Sequence, residues 1–207
     1  MLLENDVIRL NNVRLSFPSL KTPKASSPGG ALKYRASFLM PSDGEVAAEV
    51  QGLIQKIATD KWGANATVAL QIIKADKKLR CYGQGDTKIS GKTGKPYEGY
   101  VGQFFVEGLS DAPAGLFDEN SQEIDAMTMG AKFQGGDYVD GLIRLWAQDN
   151  QHGKAIRGEL IGVKFNSEGE HFGADRLDPA SVFGGGAPAA SADAGDEAAA
   201  TTPNLFG

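Results

Sequence analysis

One cysteine in 207 residues, Cys81, removes an internal disulfide from the possible means of stabilisation and fits a reducing compartment. Two histidines, His152 and His171, are all the imidazole available, so no zinc-ligand spacing can be assembled. No apolar run approaches the roughly 18 residues a membrane span requires, and no charged-then-apolar leader opens the chain. These scarcities predict a soluble protein of the cytoplasm. Nucleotide chemistry also lacks its parts. Gly91-Lys92-Thr93 would need a glycine five positions before Gly91, where Asp86 stands, and Pro96 spoils the helix that should follow. Asp118, Glu119, Glu123 and Asp125 could hold magnesium as nuclease carboxylates do, but they sit in a loop interrupted by proline, glycine and asparagine and read as solvated. No nucleophile stands beside a base. No catalytic residue, metal or cofactor is expected.

Net charge is −5, and its distribution matters more than its sum. Residues 7–42 carry Arg9, Arg14, Lys21, Lys24, Lys33 and Arg35 with no acid, and residues 107–125 carry six acids with no base. Such segregation implies a basic face with acidic surface elsewhere. Residues 74–106 hold seven Lys or Arg against three acids, with three tyrosines and two phenylalanines threaded between them. Cations follow a phosphate backbone, and aromatic faces stack on unpaired bases whatever their identity.

In chain order, residues 7–17 read as a strand whose alternation slips at Asn11-Asn12, predicting a bulge. Pro18 is expected to stop it and residues 19–31 to form a mobile basic loop. Residues 33–40 form a second strand, with Lys33, Arg35 and Ser37 on one face and Tyr34, Ala36, Phe38 and Met40 on the other. Ser42 and Glu45 resemble a capping box, Val46, Val50, Leu53, Ile54 and Ile57 follow at helical spacing, and Gly63 is placed to end the helix. Residues 67–73 fit a strand or a short helix. Short strands are expected at 79–82 and 100–106, a long glycine- and lysine-bearing loop at 83–96, and irregular chain through the acidic stretch. Residues 138–147 and 154–165 read as an antiparallel hairpin around a turn at 149–153, with Leu142, Arg144 and Trp146 sharing a face. Several strands, one inserted helix and turn-rich connections predict a mainly β chain folded as a small antiparallel barrel.

Charge and face arguments select a DNA-binding set: Lys33, Tyr34, Arg35, Lys77, Lys78, Arg80, Tyr82, Lys88, Lys92, Lys95, Tyr97, Tyr100, Arg144 and Trp146. From Gly184 the composition turns to Gly, Ala, Pro and Ser, too poor in apolar residues to offset ordering entropy, so a disordered tail is expected over 184–207 behind a domain of 1–183.

Residues 13–18 (Val-Arg-Leu-Ser-Phe-Pro), residues 33–41, Tyr138-Val139, Trp146-Ala147 and residues 156–165 together resemble the bacteriophage single-stranded DNA-binding proteins built on an OB-fold barrel with a helix inserted between strands. The resemblance spans roughly residues 7–183 and lies in the order and spacing of the set. It implies coating of single-stranded DNA in phage replication, recombination or repair, without catalysis. Members commonly end in an acidic tail with a terminal aromatic. Here the tail carries Asp193, Asp196 and Glu197, and Leu205-Phe206 is followed by Gly207. These five residues are the candidate contacts for replication or recombination partners. The weak acidity of the tail is a departure from the family pattern. An OB-type module that binds a protein instead of nucleic acid is the alternative, and monomer and dimer both remain open.

Overall fold

The computed structural model describes residues 1–25, 29–130 and 132–173. The expected domain end at 183, and the tail residues Asp193, Asp196, Glu197, Leu205 and Phe206, lie outside the described residues. Strand β1 (Val7–Ala25) buries Ile8, Leu10, Val13, Leu15 and Leu20, an alternation that is interrupted twice and resumes each time. The expected irregularity at Asn11-Asn12 is present: register with β6 (Tyr138–Asn150) shifts between Leu10 and Val13, and Asn12 adopts φ 49°. Pro18 does not stop the strand. It sits in a second bulge, between Ser16 and Ser19, where a residue with no N–H is tolerated, and β1 continues to Ala25 as one arm of a hairpin with β2 (Leu32–Pro41). Residues 19–25 are therefore strand and not loop.

Between β2 and β4 (Gln103–Ser110) lie the helices. Helix α1 (Glu45–Trp62) buries Val50, Leu53, Ile54 and Ile57 against the barrel and ends at Gly63 with φ 54°. The capping box is not formed: Gly44 is the N-cap, no side chain caps the helix, and Ser42 Oγ instead donates to Gln84 Oε1. After a 3-10 turn, α2 (Ala66–Ala75) resolves residues 67–73 as helix, burying Ala69 and Ile73. Residues Lys77–Leu79 are a 3-10 turn, and the short strand expected there begins later, as β3 (Tyr82–Gln84). Likewise Tyr100 precedes its strand, which starts at Gln103. Within the acidic stretch a short strand, β5 (Gly115–Phe117), pairs with β7 (Gly153–Ser167). No described helix is long and apolar enough to cross a membrane.

Strands β1, β2, β4, β7 and β6 close into a five-stranded barrel. All neighbours are antiparallel except β4 and β7, which meet in parallel at Leu109 and Glu159. In chain order this is strand order 1-2-3-5-4-1, the Greek-key closure of an OB barrel. Its interior is filled by Ile8, Leu10 and Leu15 of β1, Phe38 and Met40 of β2, Val106 of β4, Ile143 and Leu145 of β6, and Ile156 and Leu160 of β7, each at most 2% exposed.

The closing strands approach so tightly that a side chain at Gly158 has no room: a Cβ there would fall inside the contact distance of the Glu107 carbonyl oxygen and beside Cys81 Sγ. Gly158→Ala should therefore destabilise the fold by about 1–3 kcal/mol, since the backbone of a closed barrel gives little. Urea unfolding measures it, and a change within error of zero would mean that β4 and β7 slide freely.

Candidate functional site

Successive residues of a strand face opposite sides of a sheet. On β4, Phe104 and Val106 point into the barrel, so Phe105, Glu107 and Leu109 face outward. On β2, Leu39, Ser37 and Arg35 stand beside them in register. Residues 85–102 fold over this outer face. Tyr100 packs with Leu39 and Phe105 into a second apolar cluster, against which Tyr97 and Phe172 are partly buried. The Tyr100 hydroxyl donates to Ser16 Oγ at 3.2 Å. Tyr100 is 0% exposed, so its ring cannot serve as a stacking platform. Its role is to anchor the covering loop.

The loop leaves a groove made of hollows that share their walls. One, near the helices, is lined by Lys74, Arg80, Tyr82 and Phe104. It shares Arg80 and Tyr82 with a hollow of about 540 Å³ that adds Lys77, Ile89 and Phe105. That one shares Lys88, Tyr97 and Glu107 with a hollow of about 330 Å³ that adds Phe17, Arg35 and Ser37. At Leu109 the groove meets a shallower hollow containing Lys33, Trp146 and Arg157. Eight of the expected residues thus line it: Lys33, Arg35, Lys77, Arg80, Tyr82, Lys88, Tyr97 and Trp146, with the Tyr82 ring, in register with Val106, turned to the inner side against Phe104 at 6.1 Å.

The others do not line it. Tyr34 is half-buried and shares the inward face of β2 with Ala36 and Phe38, opposite to Arg35, so both cannot meet one ligand on the outer sheet face. Lys92 and Lys95 are exposed on a turn closed by the Ser90 N–H donating to the Lys95 carbonyl. Lys78 is exposed, and its carbonyl accepts from Arg157 Nη1 at 2.8 Å. Arg144, also exposed, pairs with Glu159 at 2.9 Å. Lys33 is not a bare surface cation, since it pairs with Asp111. Among the described residues no three His, Cys, Asp or Glu cluster to hold a metal. In the acidic loop, Asp118 Oδ1 accepts from the Asn120 and Gln122 amides, and Glu119 pairs with Lys132 at 2.5 Å.

Sequence reasoning missed Phe17, Ser37, Glu107 and Arg157. Phe17 adopts φ 46° at the second bulge of β1, a left-handed conformation costly for an aromatic residue, and its ring stands edge-on to Tyr97 at 4.9 Å. Arg157 was within reach, because counting outward from the hairpin turn places it directly across from Trp146.

Lys88 is the centre of the groove. Its ammonium pairs with Glu107 Oε1 and lies 4.5 Å from the Phe105 ring centroid, 5.8 Å from Tyr100 and 6.0 Å from Phe17. Burial, and then the neighbouring Arg35 guanidinium, push it down to about 8. It remains mostly charged at neutral pH. Arg80 donates through Nη1 to the Tyr82 carbonyl at 2.8 Å, and its Nε is buried with no hydrogen-bond partner.

Barrel topology and groove together define an OB-fold protein with an aromatic and cationic channel across its outer β2–β4 face. A family model described as the single-stranded DNA-binding protein of Enterobacter phage Enc34 matches residues 6–197, and the chain belongs to that family. Protein p50 of Acyrthosiphon pisum secondary endosymbiont phage 1 is 31% identical over 167 residues, covering 80% of this chain and 85% of that one. The structure of the single-stranded DNA-binding protein from bacteriophage Enc34 in complex with ssDNA superposes with a TM-score of 0.66 at 24% identity, over 83% of this chain and 92% of that chain. The gp2.5 protein of bacteriophage T7, a single-stranded DNA-binding protein, shares the fold at a TM-score of 0.50 and 10% identity, over 85% and 99%.

The Lys88 environment predicts a pH dependence of stability. Above about 8 the folded chain releases a proton that the unfolded chain holds up to 10.5. The unfolded state binds more protons across that window, so Lys88 makes stability rise with pH there. The stability of wild type minus that of Lys88→Gln should therefore climb between about 8 and 10.5. Cys81, Tyr82 and Tyr100, which burial pushes the other way, cancel in the difference. A flat difference in urea unfolding would show that Lys88 titrates like an exposed lysine.

Proposed function

We propose that this chain is a single-stranded DNA-binding protein of a phage or prophage that coats exposed strands, largely without sequence preference, during DNA replication, recombination or repair. The observation that carries the reading is the groove over the outer face of β2 and β4 and onward to Trp146, where Tyr97, Phe17 and Trp146 lie among Lys77, Arg80, Lys88, Arg35 and Lys33. In OB barrels this face is the oligonucleotide-binding one. Each stacked base contributes about 1–3 kcal/mol whatever its identity, and the cations meet the phosphates that join the bases. The Enc34 relative seen in complex with ssDNA supports the same ligand.

The function is binding without catalysis or cofactor, in the cytoplasm of the bacterial host. Residues 1–183 act as the binding domain. Residues 184–207 act as an acidic tail through which Asp193, Asp196, Glu197, Leu205 and Phe206 engage replication or recombination proteins.

Anisotropy titration of a labelled oligo(dT) across a salt series tests this. Log affinity should fall linearly with log salt, by roughly 0.7 per phosphate neutralised. Lys33→Ala/Arg35→Ala and Lys77→Ala/Lys78→Ala/Arg80→Ala should each weaken binding at low salt and flatten that slope. Absence of binding, or affinity indifferent to salt, would favour an OB module that engages protein.

A further inference from the structure

We propose that the Glu107–Lys88 pair on the groove floor forms a subsite preferring guanine, with Glu107 as the residue that sets the preference. The proposal rests on the single-stranded DNA reading above and adds to it one position at which a base edge is read. A carboxylate on a face that binds a polyanion is a liability, since it repels every phosphate that passes. At the rim water screens such a charge, and the Asp111 side chain, 82% exposed, lies there. Glu107 differs. Its side chain is 30% exposed, its Oε1 accepts from both Lys88 and Ser37 Oγ, and it lines the two central hollows of the groove. A carboxylate held in place at the bottom of an aromatic channel is suited to receive donors from a base.

The walls favour a base over a phosphate. Phe17 and Tyr97 stand edge to face at 4.9 Å and both line the hollow of about 330 Å³ whose floor is Glu107. A base stacked on either ring turns its hydrogen-bonding edge toward the floor. Guanine alone offers two adjacent donors, N1–H and the N2 amine, next to an acceptor, O6. The Glu107 carboxylate can accept both donors. Lys88 has three N–H groups, so it can keep its contact with Glu107 and give another to O6. Thymine presents one N–H between two carbonyl oxygens that the carboxylate repels. Adenine and cytosine place a ring nitrogen acceptor beside their amine, which yields one favourable contact and one unfavourable. A single reading position among several stacked bases leaves coating of mixed sequence intact.

The test is anisotropy titration of a labelled oligo(dT) carrying one central dG, inosine, dA or dC, with wild type and Glu107→Gln. Wild type should bind the dG oligonucleotide about five- to tenfold more tightly than all-dT, the range expected of a bidentate base contact partly open to water. Inosine, which lacks the N2 amine, should lose most of that gain. Glu107→Gln should lose the dG preference, binding the dG and all-dT oligonucleotides alike. Equal wild-type affinity for dG and dT would overturn the proposal, and so would a preference that survives Glu107→Gln. A variant that binds dG and dT more tightly by the same factor would also overturn it, because Glu107 would then be a plain counter-ion displaced by phosphate. If Glu107→Gln fails to fold, the inosine comparison on wild type decides alone. Failure to bind any oligonucleotide would strike the functional reading itself, whereas binding without preference strikes the subsite alone.

Discussion

Everything in this molecule depends on how closely β4 and β7 meet. The barrel closes where Gly158 lies against the Glu107 carbonyl, and a methyl group at that point would hold the strands apart. Because they touch, β4 is held between β2 and β7 with a defined inward and outward side. Phe104 and Val106 complete the core, and Phe105, Glu107 and Leu109 are presented outward beside Leu39, Ser37 and Arg35. The outer face then gains a covering of its own, since Tyr100 clamps residues 85–102 down onto Leu39 and Phe105. One sheet thus has apolar clusters on both sides, and the groove lies between the outer sheet face and the loop, with Lys88 and Tyr97 of the loop among its walls.

The charges of the groove follow a second rule. Lys33 and Lys88 in the groove, and Arg144 outside it, are each paired with a nearby acid: Asp111, Glu107 and Glu159. This local pairing is how a chain of net charge −5 can carry a cation-lined channel. Exposed pairs of this kind contribute little to stability. Their effect on a polyanion is larger, because each acid must be screened or bypassed when phosphate arrives. The pair at Lys88 is the most enclosed of the three, and it lies where two hollows join.

Local patterning revealed most of the barrel. Alternation identified β2 and the β6–β7 hairpin, and the helical spacing of Val50, Leu53, Ile54 and Ile57 identified α1 with its end at Gly63. The failures are long-range. Pro18 signals a stop in isolation, but a bulge absorbs its missing N–H and the hairpin partner carries β1 onward to Ala25. Ser42 carries the local signature of a cap, although its hydroxyl is used by Gln84, a residue brought near only by folding. In the site, basic and aromatic interleaving found Lys77, Arg80, Tyr82, Lys88 and Tyr97. It also admitted Tyr100, because nothing local to Tyr100 tells that Leu39, Phe105 and Ser16 will enclose it. Glu107 looks in the sequence like one of an acidic run, since its position opposite Ser37 exists only in the β2–β4 register.

The central claim is that single-stranded DNA lies along the outer β2–β4 groove. It is tested most directly by photo-crosslinking an oligonucleotide that carries 5-iodouracil at successive positions and mapping the attached peptides by mass spectrometry. The account predicts adducts at Phe17, Tyr97 and Trp146, with none at Tyr100. Adducts confined to the exposed face of α2 around Val68 and Ile72, with those three aromatics unmodified, would contradict it.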